Sequence, residues 1–118
     1  MKETDVKLGK KDVKSGKDSD SSTYTLRNGD KIKFYMGDGV AEDWQFDQGV
    51  GEHGVTFSTG VCPPWLAMTR SGSGSVTFVL NDSSGTYTGQ QVNLTLNFKN
   101  RNGEKGCHDP VVKDGGTQ

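Results

Sequence analysis

Val92-Asn93-Leu94-Thr95-Leu96-Asn97-Phe98 alternates apolar and polar residues without a break. Successive side chains of a β-strand point to opposite faces. The spacing therefore places Val92, Leu94, Leu96 and Phe98 on one side of a sheet and Asn93, Thr95 and Asn97 on the other. One side is dry and the other wet, which predicts an inward-facing strand near the middle of a sheet. Upstream, Val76-Thr77-Phe78-Val79-Leu80 repeats the period, with Val76, Phe78 and Leu80 inward. Between the two lies Asn81-Asp82-Ser83-Ser84-Gly85, a run of residues whose side chains satisfy turn backbones or tolerate positive φ.

Further upstream the same period continues. Tyr24 and Leu26 alternate with Thr and Arg, Asn28-Gly29 is the strongest short hairpin signal, and Ile32, Phe34 and Met36 share one face of the following strand. Val55 and Phe57 mark another strand. Apolar residues nowhere recur at helical spacing over three turns, so essentially no helix is expected. About seven short strands separated by Gly-rich turns predict an all-β, antiparallel β-sandwich over residues 23–112, followed by a tail at 113–118.

Residues 1–22 differ in composition. They hold six Lys, four Asp and one Glu, with only Met1, Val6, Leu8 and Val13 apolar. So little apolar surface does not offset the entropy of ordering, and the segment reads as a flexible charged arm whose deletion leaves the core stable. Within it Asp-Val-Lys-x-Gly-Lys occurs at 5–10 and again at 12–17. Lys7, Lys10, Lys11 and Lys14 would let such an arm dock on an acidic neighbour.

Pro64-Trp65-Leu66, the Ser-Gly-Ser-Gly-Ser run at 71–75, the strand Val76–Leu80, Asn81 and the strand from Val92 together resemble the closing strands of bacterial immunoglobulin-like modules of the cadherin-like and BACON types. The resemblance covers residues 61–98. It implies an immunoglobulin-like β-sandwich used for adhesion, spacing or glycan contact.

The whole chain has 118 residues and a net charge of −1, which suits one domain and argues against holding nucleic acid by charge. No apolar run approaches the length that spans a bilayer, so membrane insertion is not expected. No secretory apolar region follows Met1-Lys2-Glu3-Thr4-Asp5, although an extracellular or virion surface suits the domain type.

Two cysteines, Cys62 and Cys107, are candidates for a disulfide if the compartment is oxidising, and reduced thiols otherwise. Zinc on Cys62, Cys107, His108 and His53 lacks the Cys-x-x-Cys spacing of such sites, and no Cys-x-x-His arrangement suits copper. Neither metal nor cofactor is expected. Only His53 and His108 are available as imidazole bases, and neither a Gly-x-Ser-x-Gly elbow nor a phosphate-cradling loop occurs, so an enzyme is not expected.

Residues 38–52 carry Asp38, Glu42, Asp43, Asp47 and Glu52 with no Lys or Arg, together with Trp44 and Phe46. An exposed Trp44 among Glu42, Asp43 and Asp47 would make a sugar-stacking platform; the same acids suit a calcium ion or a basic neighbour. Alternatively Trp44 and Phe46, two apart, share the core face of a strand. Three functions follow. The first is a non-catalytic structural or interaction module displayed on a virion or cell surface, partnered by protein or by its own copies. The second is a carbohydrate-binding module using Trp44 and Trp65, and the third a hydrolase inhibitor presenting loop 37–52.

Overall fold

The computed structural model describes residues 2–14, 22–70 and 74–117. The strands are β1 (Glu3–Leu8), β2 (Thr23–Leu26), β3 (Lys31–Met36), β4 (Trp44–Phe46), β5 (Val55–Phe57), β6 (Leu66–Arg70), β7 (Ser75–Leu80), β8 (Gln91–Asn100), β9 (Lys105–His108) and β10 (Val111–Asp114); one short helix, α1 (Lys10–Lys14), follows β1. They form two mixed sheets over a common core. One runs β1-β3-β7-β6; the other runs β2-β10-β8-β4, with β5 and β9 also paired to β8. No helix of the described residues is long and apolar enough to cross a membrane.

The strand that opened the sequence reading organises the second sheet. Phe98 pairs with Phe46 of β4 and with Gly106 of β9, and Leu96 pairs with Val55 of β5 and with His108 of β9. Each residue thus has a neighbour on both edges, so β8 is the central strand. Val92, Leu94, Leu96 and Phe98 are buried, as their spacing predicts. From the other sheet Ile32, Phe34, Val76, Phe78 and Leu80 close the core. Tyr24 of β2 meets Phe34 of β3 edge to face at 5.7 Å, which couples the two layers.

Three expectations are corrected. Asn28-Gly29 does form a turn, with Gly29 at φ 89°, but β2 and β3 do not pair with each other. β2 joins β10 while β3 joins β1 and β7, so the turn carries the chain from one sheet to the other. Of the two only Gly29 takes positive φ, whereas the two-residue type I′ hairpin needs it at both central positions. Nor is the fold purely antiparallel, because β1 runs parallel to β3 and β2 parallel to β10.

The third correction concerns residues 3–14, which are built into the domain rather than forming a solvated arm. β1 pairs along its whole length, from Glu3 opposite Lys31 to Leu8 opposite Met36. Leu8 and Val13 are completely buried. Asp12 closes the start of α1 by accepting from the Gly9 N–H at 2.7 Å, and its other carboxylate oxygen lies 3.9 Å from Nδ1 of buried His108. Composition misled here because an edge strand is held by main-chain hydrogen bonds, which composition does not register, and needs only a few apolar side chains to finish the core. The remaining arm positions 15–21, like Ser71-Gly72-Ser73, lie outside the described residues. At the other end β10 reaches Asp114, two residues past the expected boundary of the sandwich, so Lys113 and Asp114 belong to the sheet rather than to a tail.

Candidate functional site

The acidic stretch 38–52 begins as a tight turn. Gly37 O accepts from the N–H groups of Val40 and Ala41, and Val40 O accepts from those of Asp43 and Trp44, which winds the chain compactly into β4. β4 then alternates, so Trp44 and Phe46 turn inward and Gln45 outward. Phe46 packs against Phe98 at 5.1 Å, and Trp44 is only 8% exposed. This corrects the stacking platform: a pyranose needs an open indole face, and neither Trp44 nor Trp65, which is 1% exposed, offers one. The core-filling alternative for Trp44 and Phe46 holds.

The four predicted binding residues consequently separate. Asp47 is 2% exposed. Its Oδ1 accepts from the Gly49 N–H and its Oδ2 from Lys105 Nζ, which ties the end of β4 to β9 across β8. The Lys105 hydrogen bond holds the Asp47 carboxyl below the usual carboxylate range, against the opposing effect of burial. Glu42 and Asp43 stay at the surface, and Arg101 Nε donates to Asp43 Oδ1 at 2.7 Å, an exposed pair. Glu42, Asp43, Gln45, Asn100 and Arg101 rim a cleft of about 420 Å³.

The cations that answer this acidic stretch come from the β8–β9 connection, where Arg101 and Lys105 flank Asn102-Gly103. Sequence reading of 38–52 by itself missed them, because they lie 58 positions away from the acids they meet. The available signal was a hairpin turn between two basic residues following the most regular strand. What the arrangement offers is a hydrogen-bonding cleft rimmed by a pre-formed ion pair, with Ala41 and the largely buried Trp44 also in its lining.

A pH dependence follows for Asp47. A carboxyl whose folded pKa lies below its unfolded value contributes stability that is present above the ordinary carboxylate range, about pH 4, and is lost as pH falls through the folded value. Asp47→Asn should lower the neutral-pH melting temperature and flatten the acid limb between about pH 2 and 5. An acid limb identical to that of the parent in thermal melts would show that the Lys105 link carries no folding energy.

Cys62 and Cys107 are free thiols in the structure, which corrects the disulfide alternative. Cys62 donates to Leu66 O at 3.1 Å and lines a groove beside β5; Cys107 lies on β9. β5 and β9 flank β8 on opposite edges, so Cys107 lies on the far side of β8 from the strand whose groove Cys62 lines. Burial, then the charge of Glu52, pushes the Cys62 thiol up, which makes it a poor nucleophile.

The expected docking residues have a different standing. Lys7, on β1, and Lys10 and Lys11, on α1, are exposed, while Lys14 closes α1. The Lys7 stem lies across Gly37, where an added Cβ would come within 2.9 Å of it. Lys7 therefore projects from an ordered edge strand next to the acidic turn. Comparison with known proteins finds neither a protein-family model nor a curated protein that matches the chain.

Proposed function

We propose that this chain is an immunoglobulin-like β-sandwich that serves as a non-catalytic structural or interaction module at a virion or cell surface, docking through its N-terminal lysines onto an acidic protein face. Strand order supports the fold reading. β3-β7-β6 in one sheet and β4-β8-β10 in the other correspond to the B-E-D and C-F-G orders of that architecture, and Tyr87 packs on the core at the β7–β8 corner, where such sandwiches carry a tyrosine. β1 is then an added edge strand lying parallel to β3.

The observation that carries the docking reading is the ordered presentation of Lys7, Lys10 and Lys11. Charges held on a paired strand and a packed helix lose less freedom on binding than charges on a loose arm, so more of their attraction appears as affinity. A copy of the same chain has a complementary feature, since Asp38 and Glu42 are exposed on the acidic turn.

Light scattering over a range of protein concentrations tests this. Association should weaken with added salt and be lost in the triple variant Lys7→Glu, Lys10→Glu, Lys11→Glu, while melting stays within about 0.5 kcal/mol of the parent because these side chains are exposed. A parent chain that stays monomeric and binds sugars on a glycan array overturns the docking reading in favour of carbohydrate binding. A monomer that blocks a hydrolase through loop 37–52 would favour inhibition instead.

A further inference from the structure

Asp82 opens the β7–β8 connection and Asp114 closes β10, and the fold brings their side chains together in the interior. Asp114 is fully buried and Asp82 is 4% exposed. Each carboxyl has one oxygen held by the main chain: Gly116 N–H donates to Asp114 Oδ1 at 2.8 Å, and Tyr87 N–H donates to Asp82 Oδ2 at 3.0 Å. The Asp82 N–H in turn donates to Asn28 Oδ1 at 2.8 Å, which anchors this corner to the β2–β3 turn. The remaining Asp114 oxygen, Oδ2, is buried and receives no donor among the described residues, and the side chain that neighbours this carboxyl is that of Asp82.

The charged groups around the pair do not relieve it. Just after β2 the Arg27 stem runs beside Gly115, and the Arg27 main-chain N–H is engaged by Asp30, itself an acid. Lys113 of β10 is adjacent to Asp114 in the strand and so points to the other face. The β7–β8 connection, 81–90, has no charged residue besides Asp82, and β8 carries its only charge, Lys99, near its far end. No cation pairs with either Asp among the described residues. Two carboxylates in contact in a dry site do not both stay ionised.

We propose that Asp82 and Asp114 share one proton, in a carboxyl–carboxylate hydrogen bond that fastens the last strand to the β7–β8 corner and opens as the pH rises above the ordinary carboxylate range. The proton comes from solvent and gives the buried Oδ2 its missing partner. Burial, and after it the hydrogen bond with Asp82, raises the Asp114 carboxyl above its ordinary value. The sign is opposite to that of Asp47. The folded chain keeps a proton that the unfolded chain releases near pH 4, so this contribution is complete below the unfolded value and declines as pH rises through the folded one. One retained proton corresponds to a change in the folding constant of up to about tenfold per pH unit.

The test compares thermal melts of the parent chain and Asp114→Asn from about pH 4 to pH 9. The Asn amide donates to Asp82 at every pH, so the variant should lose the decline that the parent shows as pH rises above about 4. An unchanged decline with rising pH in the variant overturns the proposal. Carboxyl-carbon NMR titration of the parent needs no variant to fold: a titration of Asp114 above the ordinary range supports the shared proton, and ordinary titration of Asp114 overturns it. Calcium chloride that raises the parent's melting temperature at neutral pH, reversibly with chelator, also overturns it, because the pair would then hold a cation in place of the proton.

Discussion

Leu96→Asp should leave little folded protein at ambient temperature. Leu96 is completely buried on the central strand, between Val55 on one edge and His108 on the other. The substitution forfeits about 1.5–3 kcal/mol of apolar burial. It also buries a carboxylate in the core, which costs several kcal/mol more or forces the group to take up a proton. Together these approach the whole stability of a small domain, about 5–15 kcal/mol. Thr95→Lys is the matched control. Thr95 lies opposite Thr56 on the outer face of the same strand, and a lysine there can extend to water. Urea unfolding should separate the two variants by about 4 kcal/mol or more. Near-equal midpoints would remove the assignment of inner and outer faces to β8.

Deleting residues 1–14 should destabilise the domain by about 3–6 kcal/mol, the sum for exposing the sites of Leu8 and Val13 at about 1.5–3 kcal/mol each. The composition of this segment predicts no effect at all, so the measurement discriminates cleanly. A finer test is Gly106→Ala. A Cβ at Gly106 would fall 1.6 Å from the Val13 carbonyl oxygen, so α1 must lift from β9 to admit it. Overpacking of this kind costs about 1–3 kcal/mol, and the cost should vanish in the truncated chain, because α1 is then missing. A truncated protein that melts with the parent would mean that β1 and α1 contribute nothing to the core.

The two carboxyl effects divide the pH scale between them. Asp47 loses its contribution as pH falls below the ordinary carboxylate range and Asp114 loses its own as pH rises above that range, so the two act in opposite senses. Asp30 acts in the same sense as Asp47: burial opposes the shift, but its side chain accepts from the N–H groups of Arg27 and Lys2, and its carboxyl lies below the ordinary range.

By itself the sequence determined the all-β character and the inner and outer faces of the regular strands. Period two in Val92–Phe98, Val76–Leu80 and Ile32–Met36 is a local property, because successive residues of any extended chain alternate sides whatever the strand pairs with. The core role of Trp44 and Phe46 was legible as one of two alternatives for the same reason. Tertiary structure alone decided which strands became neighbours. Asn28-Gly29 reverses the chain equally well as a hairpin or as a corner between sheets, and the parallel pairing of β2 with β10 settles it as a corner. Tertiary structure also recruited β1, whose few apolar residues gain their energy from a space left by β3 and β9 and from main-chain hydrogen bonds that no side chain announces. The candidate site was the least legible part. Whether an acid such as Asp43, Asp47 or Asp114 meets a cation, the solvent or another acid depends on residues dozens of positions away, and only the packing of β8, β9 and β10 brings Arg101, Lys105 and Asp82 to them.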